Sequence, residues 1–212
     1  MAEQILYNAL KSSNIPNLLI YGINNSGKKY RLFHYLDIIY QPSLKVNEIK
    51  NDICYSYNDV YYEFNMKNIQ NKNYDVFINI INEIILSKNY FGKNKNKLII
   101  FKNFENIKST LQNILRVIIE KNRNTTVFII VTNRYNSISS PIKSRCLCIR
   151  LNSLTNKEKR KLIHSTIKYK DCDSSFYDFI YKFHNKHDIK LSVECKEIYN
   201  NKYIDPYDRM CG

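Results

Sequence analysis

The stretch "NLLIYGINNSGKKYRLFHYL", residues 17–36, joins a short apolar run to a loop with two glycines and then to a segment of helical character. Strand, loop, helix is the setting in which a phosphate-binding loop works. That loop asks for Gly, four residues, then Gly-Lys followed by Ser or Thr. Gly22, Gly27 and Lys28 fit it, and Lys29 stands where the hydroxyl belongs. Gly22 permits the turn and Gly27 a close backbone approach, while the amides of Asn25, Ser26 and Gly27 at the helix start would cradle an anion. Lys28 would then reach the terminal phosphates.

Further apolar runs alternate with amphipathic segments, the pattern of βα units around a parallel sheet. They are "NLLIY" (17–21), "YYEFNM" (61–66), "KLIIF" (97–101), "TVFIIVT" (126–132) and "LCIRL" (147–151). Continuously hydrophobic runs are those of strands covered on both faces. The expectation is an α/β doubly wound layer with a five-stranded parallel sheet. Helices are predicted over 28–40, 74–90 and 107–122, and loops over 41–60 and 92–96. In the third helix Ile107, Leu111, Ile114, Leu115, Ile118 and Ile119 form an apolar stripe, and Gln112, Arg116 and Glu120 fall four apart on a polar face. After Leu151 the character changes. Thr155 and Glu158 make a capping box opening a basic helix, and two more helical segments follow. The chain therefore divides into an α/β domain (1–151), a small helical domain (152–200) and a C-terminal tail (201–212).

Of the 212 residues, 44% are hydrophobic, and the formal net charge is +14. A cationic surface suits a phosphate backbone. Lys nevertheless outnumbers Arg, and Asn, Ile and Tyr are abundant, as AT-rich coding would give, so the charge permits a nucleic-acid partner without requiring one. No apolar run approaches the roughly 20 residues of a membrane span. "MAEQILYNALKSS" lacks the layout of a secretion signal, so an intracellular, reducing compartment is expected. The six cysteines follow no CxxC spacing. His184 and His187, between Cys172 and Cys195, match no usual zinc spacing, so no metal site is expected.

The chemistry of hydrolysis is incomplete. A Mg²⁺ site needs oxygen ligands, and Lys29 offers a second cation instead, which disfavours the metal. A P-loop ATPase also places an Asp, usually followed by Glu, after its third hydrophobic strand. Here "KLIIF" runs into Lys102 and Asn103. Glu105, two residues on, is the one candidate for a displaced carboxylate.

Taken together, "NIPNLLIYG", "SGKK", "YYEFNMKN", "KLIIFKNFENI", "LQNILRVIIEKNRNTTVFIIVTN" and "PIKSRC" resemble the small subunits of the sliding-clamp loader, the replication factor C group of AAA+ proteins. The double Lys after Gly27 looks most like the eukaryotic small subunit deficient in ATPase activity. The resemblance covers roughly residues 3–198, and its most specific element is Ser144-Arg145-Cys146. It implies an AAA+ P-loop module followed by a helical lid. It makes Arg145 an arginine finger acting in trans on a neighbouring subunit's ATP. It places Asn133 at the sensor-1 position near the γ-phosphate and Lys190 at the sensor-2 position of the lid, where Lys lacks the planar fork of Arg. It sets Gln112 and Arg116 on the helix lining a central DNA chamber, with Val117 where a second Arg is usual.

The implied cofactor is ATP or ADP bound without hydrolysis, with Mg²⁺ disfavoured. The implied partners are other clamp-loader AAA+ subunits in a hetero-oligomer, the sliding clamp and primer–template DNA, in the nucleus or an equivalent replication compartment and with no membrane. Family members continue into a helical collar domain that this chain, ending "DPYDRMCG", is not expected to have. Assembly would then rest on AAA+ and lid contacts or on a separate collar polypeptide. Two alternatives stand beside this reading: a divergent active ATPase using Glu105, and a basic DNA-binding module acting alone.

Overall fold

A computed structural model describes residues 2–24, 26–87 and 96–153. Along the chain it places α1 (Ala2–Lys11), β1 (Leu18–Tyr21), α2 (Lys28–Tyr40), β2 (Val46–Lys50), β3 (Ile53–Tyr57) and β4 (Tyr61–Asn65). There follow α3 (Tyr74–Leu86), β5 (Lys97–Lys102), α4 (Ser109–Lys121), β6 (Thr126–Thr132), the single turn α5 (Ser140–Lys143) and β7 (Leu147–Arg150). The expected lid (152–200) and tail (201–212), Lys190 among them, lie outside the described residues from 154 onward, as does Asn25.

The strands form one sheet in the order β2-β3-β4-β5-β6-β1-β7. From β4 to β7 the pairing is parallel throughout. The five expected strands are β1, β4, β5, β6 and β7. The sheet has seven strands, not five, because residues 41–60, expected as a loop, contain the antiparallel hairpin β2–β3. Its turn residues Asn51 and Asp52 sit at φ 49° and 66°. Two consecutive left-handed residues make the tight hairpin turn whose twist matches that of the strands, and Asn and Asp tolerate that conformation.

Alternation along the central strands divides the core in two. Leu98 and Ile100 of β5 and Val127, Ile129 and Val131 of β6 pack with Leu6 and Leu10 of α1 and Leu32 and Leu36 of α2. Ile99 and Phe101, with Phe128 and Ile130, pack on the other face against Phe77, Ile80 and Ile81 of α3 and Leu111, Leu115 and Ile119 of α4. All seven residues of β6 are buried, as expected for a strand with helices on both faces. The sheet therefore carries the ends of β1, β5 and β6 to one edge, where the glycine loop begins.

Candidate functional site

The loop after β1 is held tightly from three sides. A Cβ on Gly22 would lie 2.2 Å from the carbonyl oxygen of Leu151, so only glycine lets the chain pass that close. Gly27 caps α2 with φ 74° and ψ 17°, a left-handed conformation that glycine adopts without strain. The buried Lys28 turns its Nζ back onto the loop, donating to Gly22 O (2.9 Å), Ile23 O (2.5 Å) and Ser26 Oγ (3.1 Å). Burial lowers its pKa, opposed by the charge of Glu105 and assisted by Lys29 and Arg31. Arg31, one turn along α2, donates to Glu3 Oε1 (2.7 Å), Asn152 O (2.5 Å) and Ser26 O. It ties the loop to α1 and to the chain leaving β7. Nothing in the loop pattern singles out Arg31, and its burial shows only in the structure.

At the end of β5 the positions of the two missing carboxylates are both accounted for. Lys102 forms an ion pair with the buried Glu63 of β4, which also receives Lys45 Nζ at 2.6 Å. Burial alone would raise the Glu63 pKa, but the hydrogen bonds from Lys102 and Lys45 outweigh it and hold the carboxyl below its usual range. Asn103 is buried in the left-handed region (φ 56°, ψ 42°). Its Nδ2 donates to Asn65 Oδ1 at 2.8 Å, and its Oδ1 accepts from Lys29 Nζ at 2.9 Å. The ammonium that replaces the loop hydroxyl is thus bonded to the amide that replaces a carboxylate.

Glu105 is committed as well. Its carboxylate accepts from Asn133 Nδ2 (2.7 Å), Asn133 N (3.1 Å) and Thr132 Oγ1 (2.9 Å). Burial raises its pKa, and these bonds more than reverse the effect, so it stays below the ordinary carboxylate range. Both Glu63 and Glu105 bind protons less readily folded than unfolded. Their stabilisation is therefore complete above the unfolded value, about 4.3, and is lost as the pH falls through the folded values. Glu63→Gln is expected to cost about 2 kcal/mol at pH 7 and to shrink the drop in urea midpoint between pH 7 and pH 3. An unchanged acid limb in that variant would remove Glu63 from the account.

The structure brings Gly22, Ser26, Gly27, Lys28, Lys29, Lys102, Asn103 and Asn133 around one loop mouth, but it relocates Gln112. Expected on a polar face facing DNA, Gln112 is 4% exposed. Its Nε2 donates to Ser137 O (2.9 Å) and its Oε1 accepts from Ser139 N (2.8 Å), so it pins the turn after β6 to α4. Buried amides persist when both ends are paired, as here. Arg116 is half-buried, and the groove of about 490 Å³ between α3 and α4, which it helps to line, shares no lining residue with the loop.

Arg145 follows α5 at the surface. Its guanidinium donates to Glu120 Oε2 (2.9 and 3.2 Å) and to Pro141 O (2.8 Å), with its side chain 30% exposed and that of Glu120 56% exposed. Cys54, Cys146 and Cys148 are free thiols, and burial pushes Cys146 up to about 12. Among the described residues no helix is long and apolar enough to cross a membrane.

A parallel β4-β5-β6-β1-β7 core with a glycine loop between β1 and α2 defines an AAA+ α/β module. The chain belongs to the family described as DNA polymerase III, delta subunit, whose model matches residues 2–155. Replication factor C subunit 5 of Neurospora crassa is 25% identical over 171 residues, 74% of this chain and 49% of that protein. Subunit 4 of Saccharomyces cerevisiae is 25% identical over 162 residues, 76% of this chain and 45% of its own length. This chain thus spans about half the length of the curated relatives it matches. Among solved structures, a DNA polymerase III gamma subunit-related protein of Thermotoga maritima aligns with TM-score 0.51 and 17% identity, over 78% of this chain and 50% of that one. A RuvB variant of the same organism aligns with TM-score 0.56 and 14% identity, over 85% and 55%. These two likenesses establish the fold alone.

The fold family implies a nucleotide and Mg²⁺, and the residues fit them unequally. The loop, its helix N-terminus and Lys28 suit phosphate. The metal does not fit: the positions that would offer it oxygen hold Lys29, Lys102 and Asn103, and the Asn103 oxygen is bonded to Lys29.

Proposed function

We propose that this chain is a clamp-loader subunit that does not hydrolyse ATP itself and lends Arg145 to the ATP site of a neighbouring subunit. The observation that carries the reading is the Lys29–Asn103 contact, an ammonium bonded to an amide where hydrolysis needs a hydroxyl and carboxylates around a metal. A subunit without catalysis of its own remains useful when its chemistry serves an adjacent site, and the surface position of Arg145 after α5 supports that role. Its guanidinium is held at the surface by an ion pair, a carbonyl and a long bond to Ser144 Oγ, so a partner's γ-phosphate competes for it on favourable terms. Membership of the DNA polymerase III delta-subunit family and the likeness to replication factor C subunits support the setting. The partners are sibling AAA+ subunits, a sliding clamp and primer–template DNA, in the nucleus or an equivalent compartment. Of the two α4 side chains expected to face DNA, Arg116 rather than Gln112 is left for its phosphates.

The alternative of a divergent ATPase rests on Glu105, whose oxygens are occupied by Asn133 and Thr132. Affinity purification of the tagged chain from native extract, followed by ATPase assays on the chain alone and on the complex, separates the readings. Co-purified AAA+ siblings with no turnover by the chain alone are expected. Turnover by the isolated chain, lost in Lys28→Ala, would overturn the non-catalytic role. Tight, salt-sensitive DNA binding without any AAA+ partner would instead favour a module acting alone.

A further inference from the structure

The misfit between this loop and a divalent cation has a positive counterpart. Lys29 Nζ reaches Asn103 Oδ1 at 2.9 Å, between the first turn of α2 and the end of β5, where a metal would need ligands from both. Lys29 is an exposed residue, but its ammonium ends in this part-buried contact. Asn103 is buried, locked by its bond to Asn65 and by its carbonyl, which accepts from Asn106 N (3.1 Å) and Nδ2 (2.7 Å). The charges nearby are one-sided. Lys28, Lys29 and Arg31 stand within one turn of the loop, while Glu63 is neutralised by Lys102 and Lys45. Arg31 is paired with Glu3, and Glu105 is the carboxylate that acts on both Lys28 and Lys29, with Lys102 and Lys67 adding positive charge beside Lys29.

We propose that the Lys29 ammonium is a built-in substitute for the metal ion, so that the loop takes ATP or ADP free of Mg²⁺ and prefers it to the Mg²⁺ complex. The inference rests on the reading of this loop as a nucleotide site and goes beyond it by fixing the ionic form of the ligand. The reason is electrostatic. A second cation chelated to the phosphates reduces their negative charge, loses attraction to Lys28 and Arg31, and must share its place with an ammonium that cannot act as a ligand. A protein-borne ammonium also needs no dehydration of Mg²⁺, which gives up its waters reluctantly. The nucleotide then acts as a structural counterion for the loop, held less tightly as free Mg²⁺ rises and converts it to the metal complex.

Calorimetric titration of the full chain with ATP, in excess EDTA and in excess Mg²⁺, tests this. Binding about tenfold tighter in EDTA is expected, the size of one charge-assisted contact. Lys29→Met should weaken binding in EDTA by about the same factor while leaving the far-ultraviolet circular-dichroism spectrum of the folded protein unchanged at the temperature of the titration. Lys29→Thr combined with Asn103→Asp should reverse the preference, making Mg²⁺ favourable. Tighter binding of the wild-type chain with Mg²⁺, or no binding in either buffer, would overturn the proposal. Neither result touches assembly with sibling subunits, so a failure here is distinguishable from a failure of the clamp-loader reading.

Discussion

Arg145→Ala, introduced into a complex reconstituted with sibling subunits, should lower ATP hydrolysis at the neighbouring site by about 10³-fold or more, the range in which arginine fingers act. The size follows from where the charge develops. Negative charge spreads over the γ-phosphoryl oxygens in the transition state, and a guanidinium directed there stabilises that state more than bound ATP. Arg145 must first leave Glu120, and the strength of that ion pair decides whether the structure is compatible with the role. Arg145 is partly exposed at 30% and Glu120 exposed at 56%, so the pair contributes about 0–1 kcal/mol, less than a tenfold change in the population of released arginine. Glu120→Gln should therefore change the rate of the complex by less than about tenfold. Arg145→Lys should rescue little, because a compact ammonium lacks the planar fork. A complex whose clamp- and DNA-stimulated ATPase is unaltered by Arg145→Ala would remove the finger.

The same residues show where sequence reading succeeds and where it stops. The five core strands were legible because strands covered on both faces must be apolar at every position, and "KLIIF" and "TVFIIVT" are. The β2–β3 hairpin was not, since an edge strand with most of its side chains in water carries little pattern: Val46 and Ile49 are exposed, as is Asn47 between them. The Asn51-Asp52 pair was its only clear mark. The helix α1 escaped notice because its buried stripe of Leu6, Ala9 and Leu10 is short and is blurred by the exposed Ile5 beside it.

At the site, the loss of the hydroxyl and the carboxylates could be read letter by letter. What replaced them could not. Lys29 and Asn103 are 74 positions apart and meet because β6 alone separates β1 from β5 in the sheet. Glu63 reaches Lys102 through the register that sets Tyr62 beside Ile99 and Asn65 beside Lys102. Gln112 shows the opposite error. Helical spacing groups it correctly with Arg116, but spacing cannot foresee that the turn at 135–139 folds over its amide and buries it.

Phe101→Ala should destabilise the domain by about 3–5 kcal/mol, the range for removing a buried aromatic ring. Phe101 is fully buried and its ring centroid lies 6.0–6.1 Å from those of Phe64, Phe77, Phe104 and Phe128, so one ring joins β4, α3, the turn after β5, and β6. Four rings fixed around the gap relax little, which keeps the loss toward the upper end. The consequence reaches the nucleotide site, because Phe101 and Phe104 bracket Lys102 and Asn103. With the first ring gone, Asn103 loses the support that holds it in a left-handed conformation, and the Lys29 contact weakens with it. Urea unfolding should show the stability loss, and nucleotide binding measured at low urea, where the variant is still folded, should weaken in EDTA. Phe101→Leu, which keeps most of the volume, should cost less than about 1.5 kcal/mol and leave that binding intact. Equally small losses in the two variants would mean that the cluster tolerates repacking, and that Asn103 is held by its own hydrogen bonds to Asn65 and Asn106 rather than by the rings beside it.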